Sequence, residues 1–309
     1  MKQLLVVAIL CCARHGASQR RSRRSLQNEF KDAVLLGHAL TAQRLLDQGA
    51  TPNYYKAFHP LIAAALQNRP SMIDILLRGG AEVDGRGDNN MTALHVASEL
   101  GFTNVVQRLL DAGAGVDEKT KISERTNVTA LHLAAGKGHV AVVKLLLERG
   151  ATHLADDIGY TPLFYAASEG FDRVVKILLQ SGASPKTRAN VNSANVGGLG
   201  PHHVAVKTGK VATLKLLLDA GAGIDDRTAV GSTPLMLAAS RWLLHSAPQS
   251  VEASAAPFSH AARVCLAARR RRRQHQELAQ RRNRSRRRRS RPTTVECLDP
   301  PRTEPTHVG

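Results

Sequence analysis

The sequence predicts an all-α solenoid of helix–turn–helix units. The segment Thr129–Ala135 is followed, 21 residues after its Thr, by a Gly-Ala pair, and Thr92 and Thr161 start the same pattern at the same spacing. Copies begin near Asn28, His59, Thr92, Thr129, Thr161, Gly200 and Thr233. Intervals of 31 to 39 residues indicate stacked repeats, because one such unit cannot bury its own apolar face.

Local signals within each copy predict a short first helix. The Thr hydroxyl can accept a backbone N–H at the helix start, which contributes about 1 kcal/mol. Pro162 and Pro234 fall in the first turn, where a missing N–H costs nothing. The small pair Ala134–Ala135 lets neighbouring helices approach closely. Glycines favour the left-handed conformation that ends such a helix, and they stand at Gly101, Gly138, Gly170 and Gly209.

A second apolar stripe follows in each copy and predicts a second helix. It is clearest over Val142–Leu147 and ends at the pair Gly150–Ala151. Leu146 and the equivalent Leu178 are expected in the core. The polar segments between copies, which we call fingers, are expected to form turns or hairpins.

These residues resemble the ankyrin-repeat family, whose unit of about 33 residues carries a Thr-Pro-Leu-His-x-Ala signature. The resemblance runs from Asn28 to Ser240, with six copies in phase. It implies an ankyrin-repeat solenoid that serves as a protein-interaction scaffold and is not an enzyme. It also implies that the repeated His, here His95, His132 and His203, is structural and bonds backbone in the neighbouring finger.

The pattern defines a domain over residues 28–240, with six repeats and a partial seventh. Insertions near 117–127 and 185–198 fall in fingers, and per-repeat insertions often mark a binding face. The first copy is divergent, as a terminal cap requires. In the sixth copy His202 stands where Leu is usual, so looser packing is expected there. After Ser240 the pattern stops, and a gene-model artefact is an alternative origin for the rest of the chain.

The N-terminus has the features of a secretory signal peptide. Leu4–Cys12 is apolar and too short to span a bilayer, and small residues up to Ser18 allow cleavage there. We assign residues 1–18 to this signal and 19–27 to a basic linker. The predicted location is the secretory pathway or the extracellular space. The alternative is an uncleaved apolar N-terminus on a protein of the cytoplasm or nucleus.

Three Asn-x-Ser/Thr sequons, at Asn90, Asn127 and Asn283, bear on the same question. Glycosylation requires the secretory pathway. In the first two sequons the Thr is also the expected helix cap, which explains its presence without a sugar.

Positive charge is concentrated near the C-terminus. The net charge is +18, and the window Arg269–Arg291 holds thirteen Arg and one acid, a net +12. We expect residues 241–309 to form a disordered basic tail. The alternative function is therefore a nucleic-acid-associated regulator that uses Arg269–Arg291 for nuclear targeting or polyanion binding. Such binding would be non-specific, because no aromatic residue interleaves the Arg run.

No catalytic, cofactor-binding or metal-binding constellation is predicted. The four cysteines lie outside the repeats, at Cys11, Cys12, Cys265 and Cys297, and have no zinc-ligand spacing. No membrane span is predicted, and a monomer is expected.

The resemblance places partner binding on the concave face formed by the first helices and fingers. The variable position after the His, with its exposed neighbours and the first finger, supplies the candidate contacts. The partner itself cannot be named, because fold does not imply function. The candidates are Tyr54, Tyr55, Val96, Glu99, Leu100, Leu133, Lys137, Tyr165, Glu169, Val204 and Lys207.

Overall fold

A computed structural model describes residues 24–53, 59–122, 125–186 and 197–245, with single helical positions at 264, 267 and 274. The chain divides into two units, Met1–Cys265 and Leu266–Gly309. Only the first unit contains a continuous described fold.

Thirteen α-helices in these described residues form six pairs and a single last helix. The first helices of the pairs are α1 (24–36), α3 (Pro60–Leu66), α5 (Ala93–Leu100), α7 (Ala130–Lys137), α9 (Pro162–Glu169), α11 (Pro201–Thr208) and the unpaired α13 (Pro234–His245). The second helices are α2 (Ala39–Asp47), α4 (Pro70–Arg78), α6 (Thr103–Asp111), α8 (Val140–Glu148), α10 (Asp172–Gln180) and α12 (Val211–Asp219). Pairs are numbered as repeats 1 to 6, and α13 opens repeat 7.

The helices form two layers. Each first helix from α3 to α13 contacts the next first helix, and each second helix from α2 to α12 contacts the next second helix. Fingers join one repeat to the next. The mostly helical arrangement with short fingers confirms the predicted all-α solenoid.

The local signals act largely as the sequence predicts. Helices α9 and α13 begin at Pro162 and Pro234. The hydroxyl of Thr161 accepts the Phe164 N–H at 3.4 Å. The glycines that end α5, α7, α9 and α11 are left-handed, with φ of 75° to 81°.

One such glycine shows why no larger residue fits. A Cβ on Gly101 would come within 2.5 Å of the His139 ring, which belongs to the next repeat. The glycine therefore supplies both the left-handed turn and the close approach of the following repeat.

Apolar side chains from both layers form the core. Leu146 and Leu178 are fully buried, as predicted, and so are Ala134 and Ala135. Full burial of such a Leu contributes roughly 1.5–3 kcal/mol. Repeat stacking thus supplies the burial that one unit cannot achieve alone.

The structure differs from the sequence-based boundaries at both ends. Helix α1 already includes residues 24–27, because Gln27 bonds Thr51 and Phe30, one turn later, is fully buried. Helix α13 continues past Ser240 to His245, since no Gly or Pro interrupts it.

The expectation of loose packing in repeat 6 is wrong. Helix α11 is complete, and His202 is fully buried with its ring centroid 4.0 Å from that of His203. The imidazole of His202 stands where repeats 2–5 have a buried Leu.

The insertion between repeats 3 and 4 forms a β-hairpin. Its antiparallel strands are β1 (Thr120–Ile122) and β2 (Arg125–Val128). The Thr120 hydroxyl donates to the Asn89 carbonyl at 2.7 Å, and the Thr126 N–H donates to Asp157 at 3.0 Å. The hairpin is therefore bonded to the fingers on both sides. Most of the second insertion, 187–196, lies outside the described residues.

Candidate functional site

Three histidines join first helices to the following finger. Each lies three residues after its cap, and its Nδ1 accepts the cap residue's backbone N–H at 3.1–3.2 Å. Since Nδ1 accepts, Nε2 carries the hydrogen and donates to a finger carbonyl 2.9–3.0 Å away. The pairs are His95 with Glu118, His132 with Tyr160, and His203 with Asp226. The predicted structural role of these histidines is confirmed.

Burial keeps two of these imidazoles neutral. Burial lowers the pKa of His95 and of His132 to about 4, although the carbonyl acceptors oppose the shift. A neutral ring suits a side chain that donates at one nitrogen and accepts at the other. Their role is to hold the fingers against the first helices.

A second set of bonds between fingers was not anticipated from the sequence. Asn53 accepts the Glu82 N–H at 2.9 Å, Asp84 accepts the Gly115 N–H at 3.1 Å, and Asp117 accepts the Thr152 N–H at 3.1 Å. We call these three links the Asx ladder. Each acceptor stands four residues after the Gly of a Gly-Ala pair. This constant spacing from the Gly-Ala pair is the sequence signal from which the Asx ladder could have been predicted.

The eleven candidate contact residues fall into groups. Val96, Leu133 and Val204 are only 6%, 8% and 6% exposed. The fully buried alanine that follows Val96 and Leu133 lets adjacent first helices close over this position. These three side chains therefore offer a partner little surface. Tyr54 and Tyr55 lie outside the described residues.

The remaining candidates reach solvent near the ends of the first helices. Leu100, Lys137, Glu169 and Lys207 are exposed, and Glu99 and Tyr165 are half-buried. The Lys137 amine lies 3.9 Å from the Glu99 carboxylate of the preceding repeat. The structure thus brings these residues into one row that crosses α5 to α11.

Tyr165 is held in place by its neighbours. Its hydroxyl donates to Asp156 at 2.9 Å, and its ring meets His132 edge-on at 5.3 Å. Tyr160 stacks on Phe164 with centroids 3.7 Å apart. An aromatic side chain fixed before binding loses little conformational entropy when a partner docks.

Exposed leucines extend the row toward the N-terminus. Leu36, Leu66 and Leu100 are 64%, 54% and 42% exposed, at the ends of α1, α3 and α5. The first two were not predicted from the sequence. Leu36 and Leu100 directly precede the turn glycine, whereas Leu66 lies one residue earlier, before Gln67 and the turn residue Asn68. In repeats 4 to 6 the residues before the turn are Lys137, Glu169 and Thr208. The first-helix ends therefore expose a leucine in each of repeats 1–3 and mainly polar side chains in repeats 4–6.

The described ranges contain neither a candidate membrane span nor a candidate metal cluster. No helix there is both long and apolar enough to cross a membrane. No three His, Cys, Asp or Glu side chains in that part of the chain are grouped to hold a metal ion.

Paired helices in two layers, with bonded fingers, define a helical repeat protein. The family profile for ankyrin repeats (3 copies) matches residues 30–121 and 113–189, which together span more than half of the chain. The chain belongs to the ankyrin-repeat family.

Solved ankyrin structures agree with this fold. The ankyrin repeat domain of Bcl-3 is 27% identical, with a TM-score of 0.58 over 68% of this chain and 92% of that one. The human ASB11 ankyrin repeat domain is 25% identical, with a TM-score of 0.58 over 75% and 96%.

Curated relatives match only part of the chain. The ARF GTPase-activating protein Git of Drosophila melanogaster is 36% identical over 97 residues, 30% of this chain and 13% of that protein. Human SH3 and multiple ankyrin repeat domains protein 1 is 35% identical over 97 residues, 30% and 4%. Mouse ankyrin repeat and SOCS box protein 6 is 32% identical over 109 residues, 31% and 24%. The chain therefore spans under a quarter of each, and the ankyrin repeats it shares with them indicate protein–protein interaction.

Proposed function

We propose that the protein is a non-enzymatic scaffold that binds a protein partner through its first-helix ends and fingers. The observation that carries this proposal is the row of solvent-facing side chains across α1 to α11. Its backbone support is fixed by the histidine bridges and the Asx ladder, so little ordering is needed on binding.

The two halves of the row predict different contacts. Leu36, Leu66 and Leu100 offer apolar anchors, whereas Lys137 and Glu169 offer charges that select a complementary partner. A few central residues carry most of the energy in such interfaces. We place that centre between Leu100 and Tyr165, where apolar, charged and aromatic side chains meet.

A matched pair of triple variants tests this proposal. Leu100→Ala, Lys137→Ala and Glu169→Ala remove one apolar, one basic and one acidic side chain from the row. Leu40→Ala, Arg44→Ala and Asp47→Ala remove the same set from the exposed side of α2. Proteins that co-purify with each tagged chain from its native cell are quantified by mass spectrometry.

We expect the first triple variant to lose its partner by at least about tenfold, as the loss of one hot spot implies. The α2 variant should retain it. Equal circular dichroism of both variants excludes unfolding. A partner kept by the first variant and lost by the second would contradict the proposal.

For location we propose the secretory pathway, supported by the apolar run Leu4–Cys12 and the small residues after it. These residues lie outside the described ranges. Mass spectrometry of the mature N-terminus tests the proposal, and a start between Ser18 and Ser25 is expected. An intact Met1 or Lys2 would assign the protein to the cytoplasm or nucleus.

The alternative function, polyanion binding through Arg269–Arg291, also rests on residues outside the described ranges. Removing residues after His245 separates the two functions, because α13 ends there. Partner binding through the row should survive this cut, and any binding of nucleic acid should be lost.

A further inference from the structure

The second helices of repeats 4 to 6 carry a row of basic side chains. Lys144, Lys176 and Lys215 each occupy the fifth position of α8, α10 and α12, and all three are exposed. We call them the lysine stripe. Neighbouring second helices contact each other, and packed helices lie about 8–10 Å apart. The stripe therefore presents one amine about every 10 Å.

No carboxylate in the described structure forms an ion pair within 4.0 Å with a lysine of the stripe, and Asp172, one turn before Lys176, accepts from the Thr213 hydroxyl instead. None of the three lysines takes part in an ion pair or side-chain hydrogen bond there. Glu148 and Asp219 stand one turn further along α8 and α12, and no ion pair within 4.0 Å forms there. Exposed Arg173 adds a further charge beside Lys176.

Repeats 1–4 show what balanced charge looks like at this surface. Arg108 pairs with Asp74 of the preceding second helix, and Arg149 pairs with Asp111 at 2.7 Å. The fifth positions of α2, α4 and α6 are Gln43, Asp74 and Gln107. Aligned lysines thus occur only in repeats 4–6, and like charges in a row disfavour the free protein slightly.

We propose that the lysine stripe binds an acidic segment of a protein partner, which lies across α8, α10 and α12. An extended chain advances about 3.3 Å per residue, so carboxylates at every third residue match the 10 Å step. This surface lies on the second helices, and the assignment does not depend on partner binding by the first-helix ends.

Nucleic acid fits the stripe less well. Phosphates along one strand follow about every 3.4 Å, far closer than the lysines. Glu148 and Asp219 would then face phosphates without neutralisation. Helices α8, α10 and α12 also contain no aromatic residue on which a base could stack. A protein segment can instead place neutral residues between its acids.

Carbodiimide coupling to a synthetic peptide tests the proposal on the full chain. The probe is a capped peptide of four Glu-Ser-Gly units, whose activated carboxylates form amides with nearby amines, which in the folded repeats are those of lysine side chains. The chain from residue 246 onward contains no Lys, so the Arg run gives no signal. Adducts are mapped by tryptic mass spectrometry at low and high salt.

We expect adducts to concentrate on the lysine stripe and to fall at high salt. Lys176→Gln should lower adducts on Lys144 and Lys215 about two- to fivefold, the effect of one exposed ion pair. The matched control Lys121→Gln, on β1, should leave them unchanged. A peptide of the same composition with contiguous glutamates should couple less at the stripe.

Three outcomes would overturn the assignment. Adducts spread evenly over the exposed lysines would show that the lysine stripe is not a specific binding site for the peptide. Equal coupling of the contiguous peptide would show that the 10 Å spacing of the lysines does not select the peptide. Single-stranded DNA that abolishes the stripe adducts at a lower charge concentration than free peptide would assign the stripe to nucleic acid. Circular dichroism of Lys176→Gln confirms that a surface change leaves the fold intact.

Discussion

Repeats 1–4 and repeats 4–6 use the same pair of helices but are joined differently. In the first group the Asx ladder connects four successive fingers, and two Arg–Asp pairs cross between second helices. In the second group Leu154 and Lys186 stand at the ladder positions, and neither bonds the following finger in the described residues. The helical frame is shared, whereas the polar bonds between repeats are local additions to it.

This difference predicts where the solenoid opens first. Repeat proteins gain stability from each interface separately, so an interface with fewer bonds opens at lower cost. Repeats 5 and 6 have fewer side-chain bonds to their neighbours. The Thr213 hydroxyl donates to Asp172 between α12 and α10, His153 lies 3.3 Å from the Ser181 carbonyl, and His203 bonds the Asp226 carbonyl at 3.0 Å. We therefore expect amide exchange in α9 to α12 to be faster than in α3 to α8.

The largest expected effect is loss of core packing, which both groups share. Leu109 and Leu178 occupy the same position of α6 and α10, and both are fully buried. Each change to Ala should lower the free energy of unfolding by about 2–5 kcal/mol. Chemical denaturation measures it, with exposed Leu40→Ala as control.

Cooperativity of unfolding should distinguish the two groups in these variants. Leu178→Ala should produce a separate early transition of repeats 5 and 6, because few polar bonds hold them to repeat 4. Leu109→Ala should shift a single transition. Identical single transitions for both variants would contradict the proposed difference between the groups.

At acid pH, repeats 3 and 4 should lose the higher stability that they have over repeat 5 at neutral pH. In the folded chain the pKa of His95 and of His132 is about 4, below the ordinary value of 6.5 expected when unfolded. The unfolded chain therefore binds protons first as the pH falls, so stability is unaffected above pH 6.5 and decreases from 6.5 to 4. Each His contributes about 3 kcal/mol of this loss.

Repeats 3 and 4, which carry these two histidines, should weaken, whereas repeat 5 has Phe164 at this position. Denaturation of the double variant His95→Gln and His132→Gln measures the effect at pH 8 and pH 4.5. Its stability should change less between the two pH values than that of the parent. An equal change would show that other groups cause the acid sensitivity.

Breaking the Asx ladder should have a smaller effect. Both carboxylate oxygens of Asp84 lie 3.1 Å from the Gly115 N–H. Asp84→Ala leaves this part-buried donor without its acceptor and should cost about 1–2 kcal/mol in chemical denaturation. The exposed Asp88→Ala in the same finger should change stability by less than about 0.5 kcal/mol. Equal effects would remove the ladder as a cause of the difference between groups.

The sequence predicted the repeat frame well because its signals are local. A Gly at a left-handed turn or a Pro in a first turn depends on the steric limits of one residue. Asp84 was missed because its acceptor role depends on a donor 31 residues away. Burial of Val96 and Leu133 was also missed, since it depends on how closely neighbouring first helices pack.

One buried polar side chain in repeats 1–4 can be replaced to raise the free energy of unfolding. Ser98 in α5 is fully buried, and its hydroxyl has no partner in the described structure. The same position holds Ala135 in α7 and Ala167 in α9. Ser98→Ala removes an unsatisfied polar group and improves helix propensity, so it should stabilise the chain by about 1 kcal/mol. The reverse change, Ala167→Ser, should destabilise by a similar amount, and two changes of the same sign would contradict the explanation.

The smallest expected effect comes from extending the Asx ladder into repeats 4–6. Leu154 stands four residues after the Gly150 of a Gly-Ala pair, and the donor for a next link would be the Ser184 N–H. Leu154→Asn should add that bond and about 0.5–1 kcal/mol. It should also slow amide exchange in α9 and α10. Leu154→Thr, a shorter side chain without an amide, is the control. If Leu154→Asn gives no more protection than this control, bonds between fingers do not set the difference between the two groups of repeats.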